Sequence, residues 1–258
     1  MNALRVAVAG KGGAGKTTLS ATLARLLARR GQQVLVIDGD SNPNVAVALG
    51  CDPAQASALA PLPPDLVSRR LGGGLVQPVQ QVIERHGITA PDGVAVVLMA
   101  MPAHADEGCL CSAHATVSAM LADVGQQPDS VSVLDLEASP EHLSRGTTRH
   151  VDALLLVVEP YYRSYETARR MAALAAELPI PRVGVVANKL RSESDAEAIV
   201  EFCARHGLTL EAQLPWSDAV LDADRAGTPL LDYDPQGPVV TAVSELAASL
   251  QAVAPQPS

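Results

Sequence analysis

One glycine-rich segment constrains the fold of this chain more than any other feature of its sequence. The segment Gly10-Lys-Gly-Gly-Ala-Gly-Lys16-Thr17-Thr18 follows the apolar run Leu4–Ala9 and leads into the amphipathic stretch Thr17–Arg30. It matches the pattern G-x-x-x-x-G-K-[ST], which cradles phosphate groups when it joins a strand to a helix. Glycines allow backbone N–H groups to turn inward, and the helix N-terminus adds positive potential. The sequence therefore predicts a phosphate-binding loop between a first strand and a first helix.

The residue types in this loop predict a nucleotide and its metal ion. Lys16 is expected to bridge the β- and γ-phosphates of ATP, and Thr17 is expected to ligate Mg²⁺. The other expected contacts with ATP or ADP come from Gly12, Gly13, Ala14, Gly15 and Thr18. A glycine-rich turn without a ligand is the alternative, and the strand and helix flanks argue against it.

Short β-branched runs alternate with longer amphipathic stretches along the chain. Several runs are apolar at consecutive positions, which is typical of parallel strands covered by helices on both faces. The order predicts an α/β fold with a doubly wound, mostly parallel sheet, as in P-loop NTPases. The predicted strands are Leu4–Ala9, Val34–Ile37, Val94–Met99, Val131–Leu134, Ala153–Val158 and Val183–Ala187, and the helices after Thr17–Arg30 include Ser164–Leu178 and Asp195–His206.

The domain organisation is expected to be simple. No stretch has the composition of a linker between two cores, so we expect one domain over residues 1–258. Pro61-Leu-Pro-Pro and Gly72-Gly-Gly interrupt the segment Asp52–Ile88 and predict irregular connections there. The last residues, about 252–258, are predicted to form a frayed tail.

Composition argues against two classes of partner. The formal net charge is −9, which is the wrong sign for a broad surface that binds nucleic acid or an anionic membrane. No apolar run approaches the roughly 20 residues that cross a bilayer, and the first residues do not have the pattern of a secretory signal. Four cysteines are too few for a disulfide framework. We therefore expect a cytoplasmic protein that binds neither nucleic acid nor membrane.

Lys11 is an additional lysine at the head of the loop, and binding the chain's own nucleotide does not require it. The loop resembles the variant phosphate loop of the group that contains the nitrogenase iron protein, MinD, ParA and the arsenical-pump ATPase. This resemblance implies a homodimer in which Lys11 crosses the interface and touches the partner's nucleotide, as an arginine finger would. A solvated surface lysine is the alternative.

Two carboxylates follow the second predicted strand, in Ile37-Asp38-Gly-Asp40. A carboxylate at the carboxyl end of a strand beside the phosphate loop can orient a water for in-line attack. The resemblance assigns this catalytic role to Asp40, together with Lys11 and Lys16, and places Asp38 nearer the metal. A helix-capping turn is the alternative, because Asp, Ser and Asn are all good caps.

Later strand ends supply the remaining expected nucleotide contacts. Asp135 ends an apolar run, and its carboxylate is suited to bind a water molecule that is coordinated to Mg²⁺. The resemblance places an adenine-reading asparagine at Asn188, beside Lys189, and an amide can both donate to and accept from a base edge. It also places Pro215 and Trp216 against the base.

Cys109 and Cys111 form a closely spaced pair. In an extended backbone, residues i and i+2 point to the same side, so both thiols can face one ion. Two thiolates half fill a tetrahedral site, and a two-fold dimer axis would supply the other half. A helix predicted from Ser112 to Leu121 would lower the thiol pKa at its N-terminus. Inert thiols or a disulfide are the alternatives, and the flanking His104, Asp106, Glu107 and His114 are more simply explained as solvated polar residues.

The segment around this pair is similar to the CooC family, the ATPases that mature nickel-containing carbon monoxide dehydrogenase. The likeness extends from about residue 4 to residue 232 and includes Asp135-Leu-Glu137-Ala-Ser-Pro-Glu141-His142 and Ala187-Asn188-Lys189-Leu190. It implies an ATP-hydrolysing homodimeric metallochaperone that binds Ni²⁺ or Zn²⁺ through Cys109 and Cys111 across the dimer. The implied client is a nickel-dependent carbon monoxide dehydrogenase. Two residues depart from the family pattern, namely Ser139, where the family has glycine, and Pro140. This departure implies an altered nucleotide switch.

Two other functions stay open at this point. A ParA- or MinD-like positioning ATPase would act as a scaffold, and it needs a basic DNA-binding face or a basic membrane helix. The tail Val239–Val253 contains no Lys or Arg, so that membrane helix is absent. An electron carrier like the nitrogenase iron protein needs a second cluster cysteine, yet no cysteine lies between Asp135 and Cys203.

Overall fold

Eight strands form one sheet in the computed structural model, which describes residues 3–68, 73–99, 111–137, 143 and 147–252. In chain order, the strands are β1 (Leu4–Gly10), β2 (Gln33–Gly39), β3 (Val67–Ser68), β4 (Gly74–Leu75), β5 (Ile88–Thr89), β6 (Ala95–Leu98), β7 (Ser130–Leu136), β8 (Ala153–Val158), β9 (Arg182–Leu190) and β10 (Thr209–Pro215). The helices are α1 (Lys16–Arg29), α2 (Val45–Leu49), α3 (Pro53–Ala58), α4 (Val79–His86), α5 (Cys111–Val124), α6 (Tyr162–Ala175), α7 (Glu193–His206), α8 (Asp218–Arg225), α9 (Leu230–Tyr233) and α10 (Pro238–Ala252).

The sheet has the strand order β10-β9-β8-β1-β7-β2-β6-β5. All neighbouring strands are parallel except the edge pair β5–β6, which is antiparallel. Strand β1 is central and pairs with both β7 and β8. The carboxyl ends of these parallel strands meet at one edge, so the residues that follow them converge there.

Helices cover the sheet on both faces because side chains alternate along each strand. Val6 and Val8 of β1 belong to the core beneath α1 and α10, while Ala7 and Ala9 belong to the core beneath α5, α6 and α7. Both clusters are aliphatic, as the runs of consecutive apolar residues predict. The expected doubly wound, mostly parallel architecture is confirmed.

The two ends of α1 are fixed in different ways. At its N-terminus, Gly15 adopts the left-handed conformation with φ 98° and ends the phosphate loop. Near its C-terminus, the almost fully buried Arg25 donates hydrogen bonds to Asp92 at 2.7 Å and to Asp232 at 2.5 Å. Arg29 contacts the same two carboxylates from the surface. The rear of α1 is therefore tied to the connection between β5 and β6 and to helix α9.

The six predicted strands are confirmed, with boundaries that shift by a few residues. Strand β10, the edge strand β5 and the separate hairpin β3–β4 were not predicted. The segment Asp52–Ile88 contains short elements between irregular connections, as expected. Helix α5 includes Cys111, one residue earlier than predicted, so the extended backbone expected at this cysteine is wrong. None of the described helices is long and apolar enough to cross a membrane.

Candidate functional site

The phosphate loop lies between the central strand β1 and helix α1. A side chain at Gly15 would place its Cβ 2.3 Å from Nδ2 of Asn188, and the φ of Gly15 is left-handed. Glycine is therefore required here both by backbone conformation and by the close approach of Asn188. The Ala14 N–H donates to the carbonyl of Lys11 at 3.1 Å, which closes the loop on itself. The expected arrangement of strand, loop and helix is confirmed.

Lys16 begins α1 and is buried, with 7% of its surface exposed. Its Nζ lies 3.5 Å from the carbonyl oxygen of Lys11, at the outer limit of a hydrogen bond. No carboxylate within the described ranges pairs with it at salt-bridge distance. A buried ammonium inside a loop of backbone N–H groups is suited to a phosphate anion.

Thr17, in the first turn of α1, contacts Asp135 near the carboxyl end of strand β7. The Thr17 hydroxyl donates to Asp135 at 2.8 Å, and Ser20 donates to the other carboxylate oxygen at 3.0 Å. Burial, with a smaller contribution from the nearby Asp38, raises the pKa of Asp135 to about 7, although the two hydroxyls and Lys16 oppose the increase. Hydroxyl and carboxylate oxygens are ligands that Mg²⁺ prefers, so this pair fits the expected ion.

Asp38 and Asp40 have different surroundings. Asp38 is almost fully buried and accepts hydrogen bonds from the backbone N–H groups of Asp40 at 3.1 Å and Val45 at 3.0 Å. Burial is also the main cause of the raised pKa of Asp38. Asp40 is only half-buried and accepts a hydrogen bond from the Asn42 N–H at 2.9 Å. Asp38 thus shapes the turn after β2, and Asp40 is the carboxylate that reaches the surface of the site.

A cleft of about 350 Å³ opens over the phosphate loop. Besides loop residues, Asp40 and Glu137 line it from the ends of β2 and β7. Glu137 accepts a hydrogen bond from Ser41 at 3.0 Å, which joins these two strand ends. Glu137 was not predicted as a site residue, although its position two residues after Asp135 indicates that it follows the same strand. The cleft combines cations, hydroxyls and carboxylates as nucleotide hydrolysis requires.

A second cavity, of about 290 Å³, begins at the loop and extends under α8 and α10. Thr18, Asn188, Lys189, Pro215 and Trp216 all line it. Its remaining wall is mainly apolar and includes Leu19, Leu214, Val220, Leu221, Val239 and Val243, with Thr22, Ser217 and Asp224 as polar members. The residues predicted to contact the base therefore lie together in the structure. Helix α10 also contributes to the cavity, although none of its residues was predicted to belong to the site. An apolar cavity with few polar groups suits a flat nucleobase.

Asn188 and Lys189 connect this cavity to the loop. The amide of Asn188 donates to the carbonyl of Ala14 at 2.7 Å and accepts from the Lys189 N–H at 2.9 Å. The Lys189 ammonium donates to the carbonyl of Gly13 at 2.6 Å and pairs with Glu159 at 2.9 Å. Both side chains therefore hold the loop in place in addition to lining the cavity.

Trp216 is held at the cavity edge by three contacts. Its N–H donates to the Leu190 carbonyl at 2.7 Å, and its Nε1 donates to Asp218 at 3.0 Å. The guanidinium of Arg191 lies 3.6 Å from the centre of the indole rings, at stacking distance. Arg191 was not identified from the sequence, because nothing in its local pattern indicates this stacking.

Lys11 directly follows Gly10 at the start of the phosphate loop. Its Nζ is 5.7 Å from the ring centre of Tyr161, in the connection between β8 and α6. Within the described ranges, no carboxylate lies at salt-bridge distance from Lys11. The structure therefore leaves the Lys11 charge without a neutralising partner in that part of the chain.

The cysteine site lies largely outside the described residues. Cys109, His104, Asp106, Glu107, Ser139 and Pro140 all fall outside them. Cys111 is exposed and disulfide-bonded, one of the alternatives left open by the sequence. His114 is buried, with its Nδ1 2.5 Å from the Thr147 hydroxyl, so the expectation that it is a solvated residue is wrong. Cys51 and Cys203 are buried free thiols, and burial raises the pKa of each.

Comparison with known proteins adds independent information. Residues 6–231 match the family described as the CobQ/CobB/MinD/ParA nucleotide binding domain. The carbon monoxide dehydrogenase accessory protein CooC of Rhodospirillum rubrum is 33% identical over 241 residues, which cover 90% of this chain and 91% of that protein. An uncharacterized ATP-binding protein of Methanocaldococcus jannaschii is 32% identical over 239 residues, covering 88% of this chain and 91% of the relative.

Solved structures show the same fold at lower sequence identity. A ParA family ATPase from Chlorobium tepidum TLS has a TM-score of 0.73 and 19% identity, covering 96% of this chain and 99% of its own. The septum site-determining protein MinD from Pyrococcus horikoshii OT3, complexed with Mg-ADP, has a TM-score of 0.70 and 17% identity, covering 96% of each chain. These similarities support the P-loop fold and not a shared cellular role.

Proposed function

This chain belongs to the CobQ/CobB/MinD/ParA family of P-loop ATPases and binds ATP, and we propose that it is a homodimeric metallochaperone that uses ATP hydrolysis to deliver nickel. The observation that carries the proposal is the 33% identity to CooC over 90% of the chain. The client enzyme by this proposal is a nickel-dependent carbon monoxide dehydrogenase.

The nucleotide chemistry follows from the described side chains. Lys16 and the loop N–H groups bind the β- and γ-phosphates, while Thr17 and Asp135 would hold Mg²⁺. When bound, the ion would supply positive charge near the phosphate oxygens. Asp40 orients a water for in-line attack on the γ-phosphorus, which breaks the bond to the β–γ bridging oxygen and yields ADP and phosphate. Asn188, Pro215 and Trp216 position the base in the apolar cavity.

The dimer connects this chemistry to the metal cargo. Lys11 of each protomer contacts the nucleotide of the other, so the interface closes around ATP and changes after hydrolysis. Cys109 and Cys111 of each protomer, as thiolates, supply two of four ligands to a shared Ni²⁺ or Zn²⁺. A disulfide at Cys111 must be reduced before it can bind metal, so metal loading is expected only under reducing conditions.

The test measures metal stoichiometry and molecular mass together, in reductant, with and without ADP or ATP. We expect a dimer with about one metal ion, and loss of that ion when Cys109→Ser and Cys111→Ser are combined. The matched control combines Cys51→Ala and Cys203→Ala, which removes the two buried thiols and leaves the pair intact. Equal metal content in both double variants contradicts the shared site.

The same measurement separates the alternatives. A nucleotide-dependent dimer that never binds metal supports a positioning ATPase. The septum site-determining protein MinD of Thermotoga maritima, a relative that is 23% identical over 240 residues, makes this alternative worth testing. A brown dimer that contains iron and sulfide supports an electron carrier. A protein that stays monomeric with every ligand contradicts the dimeric chaperone altogether.

A further inference from the structure

A closed set of contacts connects two positions of the phosphate loop through the end of β8. Glu159 follows β8 and is 9% exposed. One of its carboxylate oxygens pairs with Lys189 at 2.9 Å, and the other accepts the hydroxyl of Tyr161 at 2.7 Å. Lys189 donates onward to Gly13, and the ring of Tyr161 lies beneath Lys11. The contacts therefore connect Gly13 with Lys11, two residues earlier in the same loop.

Both oxygens of Glu159 are therefore occupied, and this affects Lys11. An unoccupied carboxylate beside a flexible lysine attracts its ammonium and neutralises it. An aromatic ring at 5.7 Å holds the cation in a preferred direction without cancelling its charge. Burial, followed by the hydrogen bond to Glu159, raises the pKa of Tyr161 to about 12, so its hydroxyl stays a donor at neutral pH.

We propose that Tyr161 is a positioning residue for Lys11. Its ring holds the ammonium at the mouth of the loop, while its hydroxyl, together with Lys189, occupies Glu159 so that this acid does not capture Lys11. The cation then stays available for the phosphates of a neighbouring protomer. The inference rests on the proposed function, because only there does Lys11 act across a dimer.

The main variant is Tyr161→Leu, which removes both the ring and the hydroxyl. We expect the kcat for ATP hydrolysis to fall on the order of fivefold, with the Kd for ATP within about twofold of wild type, because the loop itself is unchanged. Tyr161→Phe keeps the ring, so it should have a smaller defect and serves if the leucine variant does not fold. Tyr233→Leu is the matched control, since Tyr233 is an exposed tyrosine of α9 that does not line the described cleft.

Two further variants separate positioning from a general structural role. Adding Glu159→Gln to Tyr161→Leu removes the charge that captures Lys11, and it should restore part of the lost kcat. In a Lys11→Ala background, Tyr161→Leu should have no additional effect on kcat. A structural defect would respond to neither change.

The possible outcomes distinguish the positioning role of Tyr161 from the proposed cross-dimer role of Lys11. Wild-type turnover in Lys11→Ala contradicts the cross-dimer role of Lys11, and it therefore also contradicts the positioning role of Tyr161. Lost turnover in Lys11→Ala combined with wild-type turnover in Tyr161→Leu overturns the positioning role alone. An equal loss from Tyr161→Leu with and without Lys11 also overturns it.

Discussion

The hydroxyl of Thr17 donates a hydrogen bond of 2.8 Å to Asp135, across 118 residues of chain. The contact joins the first turn of α1 to the end of β7, two elements packed side by side around the centre of the sheet. It places both expected oxygen ligands of Mg²⁺ together before any ion binds. The Asp135 carboxylate is buried, and burial is the main reason why its pKa is raised to about 7.

The first prediction concerns the pH dependence of stability without nucleotide or metal. The pKa of Asp135 is about 7 in the folded protein against an ordinary value of 3.8, so folding favours its protonated form. The folded protein binds more protons between these values, and the free energy of unfolding should therefore decrease as pH rises from 5 to 7. The gap in pKa corresponds to at most about 4 kcal/mol.

Denaturant unfolding of wild type and Asp135→Asn at several pH values measures this effect. The stability of Asp135→Asn relative to wild type should increase from pH 5 to pH 7 and level off above. Asp65→Asn, at an exposed carboxylate, is the control and should show no such trend. A difference that stays constant with pH would contradict the raised pKa.

The second prediction separates the two lysines of the loop. Lys16→Ala should abolish nucleotide binding, because it removes the buried cation inside the loop. Lys11→Ala should retain binding and lose most ATP hydrolysis and nucleotide-driven dimerisation, because in the proposed function Lys11 contacts the partner's nucleotide and not the chain's own. Calorimetric titration with ATP, turnover assays and molecular mass measure these effects. Retained ATP affinity in Lys16→Ala would refute the phosphate-loop assignment.

The third prediction compares two glycines with similar backbone conformations. Gly13 and Gly15 have φ of 79° and 98°, so alanine is strained at both. Only at Gly15 would the new Cβ meet a neighbour, the Asn188 amide at 2.3 Å, whereas nothing lies within 4 Å at Gly13. Gly15→Ala should therefore lower Tm and ATP affinity more than Gly13→Ala does. Equal effects in thermal melts and ATP titrations would show that the Asn188 contact is unimportant.

The fourth prediction uses the single tryptophan of the chain. Trp216 lies at the edge of the proposed base cavity, so saturating ADP should change its fluorescence. Trp216→Leu should weaken ADP binding on the order of tenfold, as loss of a base-stacking contact does, while Trp216→Phe should have a smaller effect. If ADP binds by calorimetry without altering the fluorescence, the base lies elsewhere. Lys16→Ala supplies the baseline without bound nucleotide.

The sequence predicts the parts of the site that local chemistry determines. The loop from Gly10 to Thr18 combines glycines, a lysine and hydroxyls in a fixed spacing, and its structure follows that spacing. Asp135 was identified because an acid follows a largely apolar run. Six strands were predicted because each is a short run dominated by apolar residues. The structure buries most of these apolar residues in the sheet.

The remaining features depend on packing between distant segments. Strand β10 is only partly buried and lies at a sheet edge, so its residues are not continuously apolar and no strand was predicted there. The contact of Arg191 with Trp216 and that of Glu159 with Lys189 join segments that only the fold brings together. The metal role of Cys109 and Cys111 stays a prediction.

Arg25 has a consequence for how nucleotide turnover can move this protein. Its hydrogen bonds with Asp92 and Asp232 fasten the last turns of α1, at the end away from the phosphate loop, to the β5–β6 connection and to α9. A helix anchored in this way cannot swing as a lever when the γ-phosphate leaves, since that would expose a buried guanidinium and break two charged contacts. Displacement during the hydrolytic cycle should therefore be confined to the strand-end segments facing the phosphates, and hydrogen exchange in the rear half of α1 should stay equally slow with ATP and with ADP.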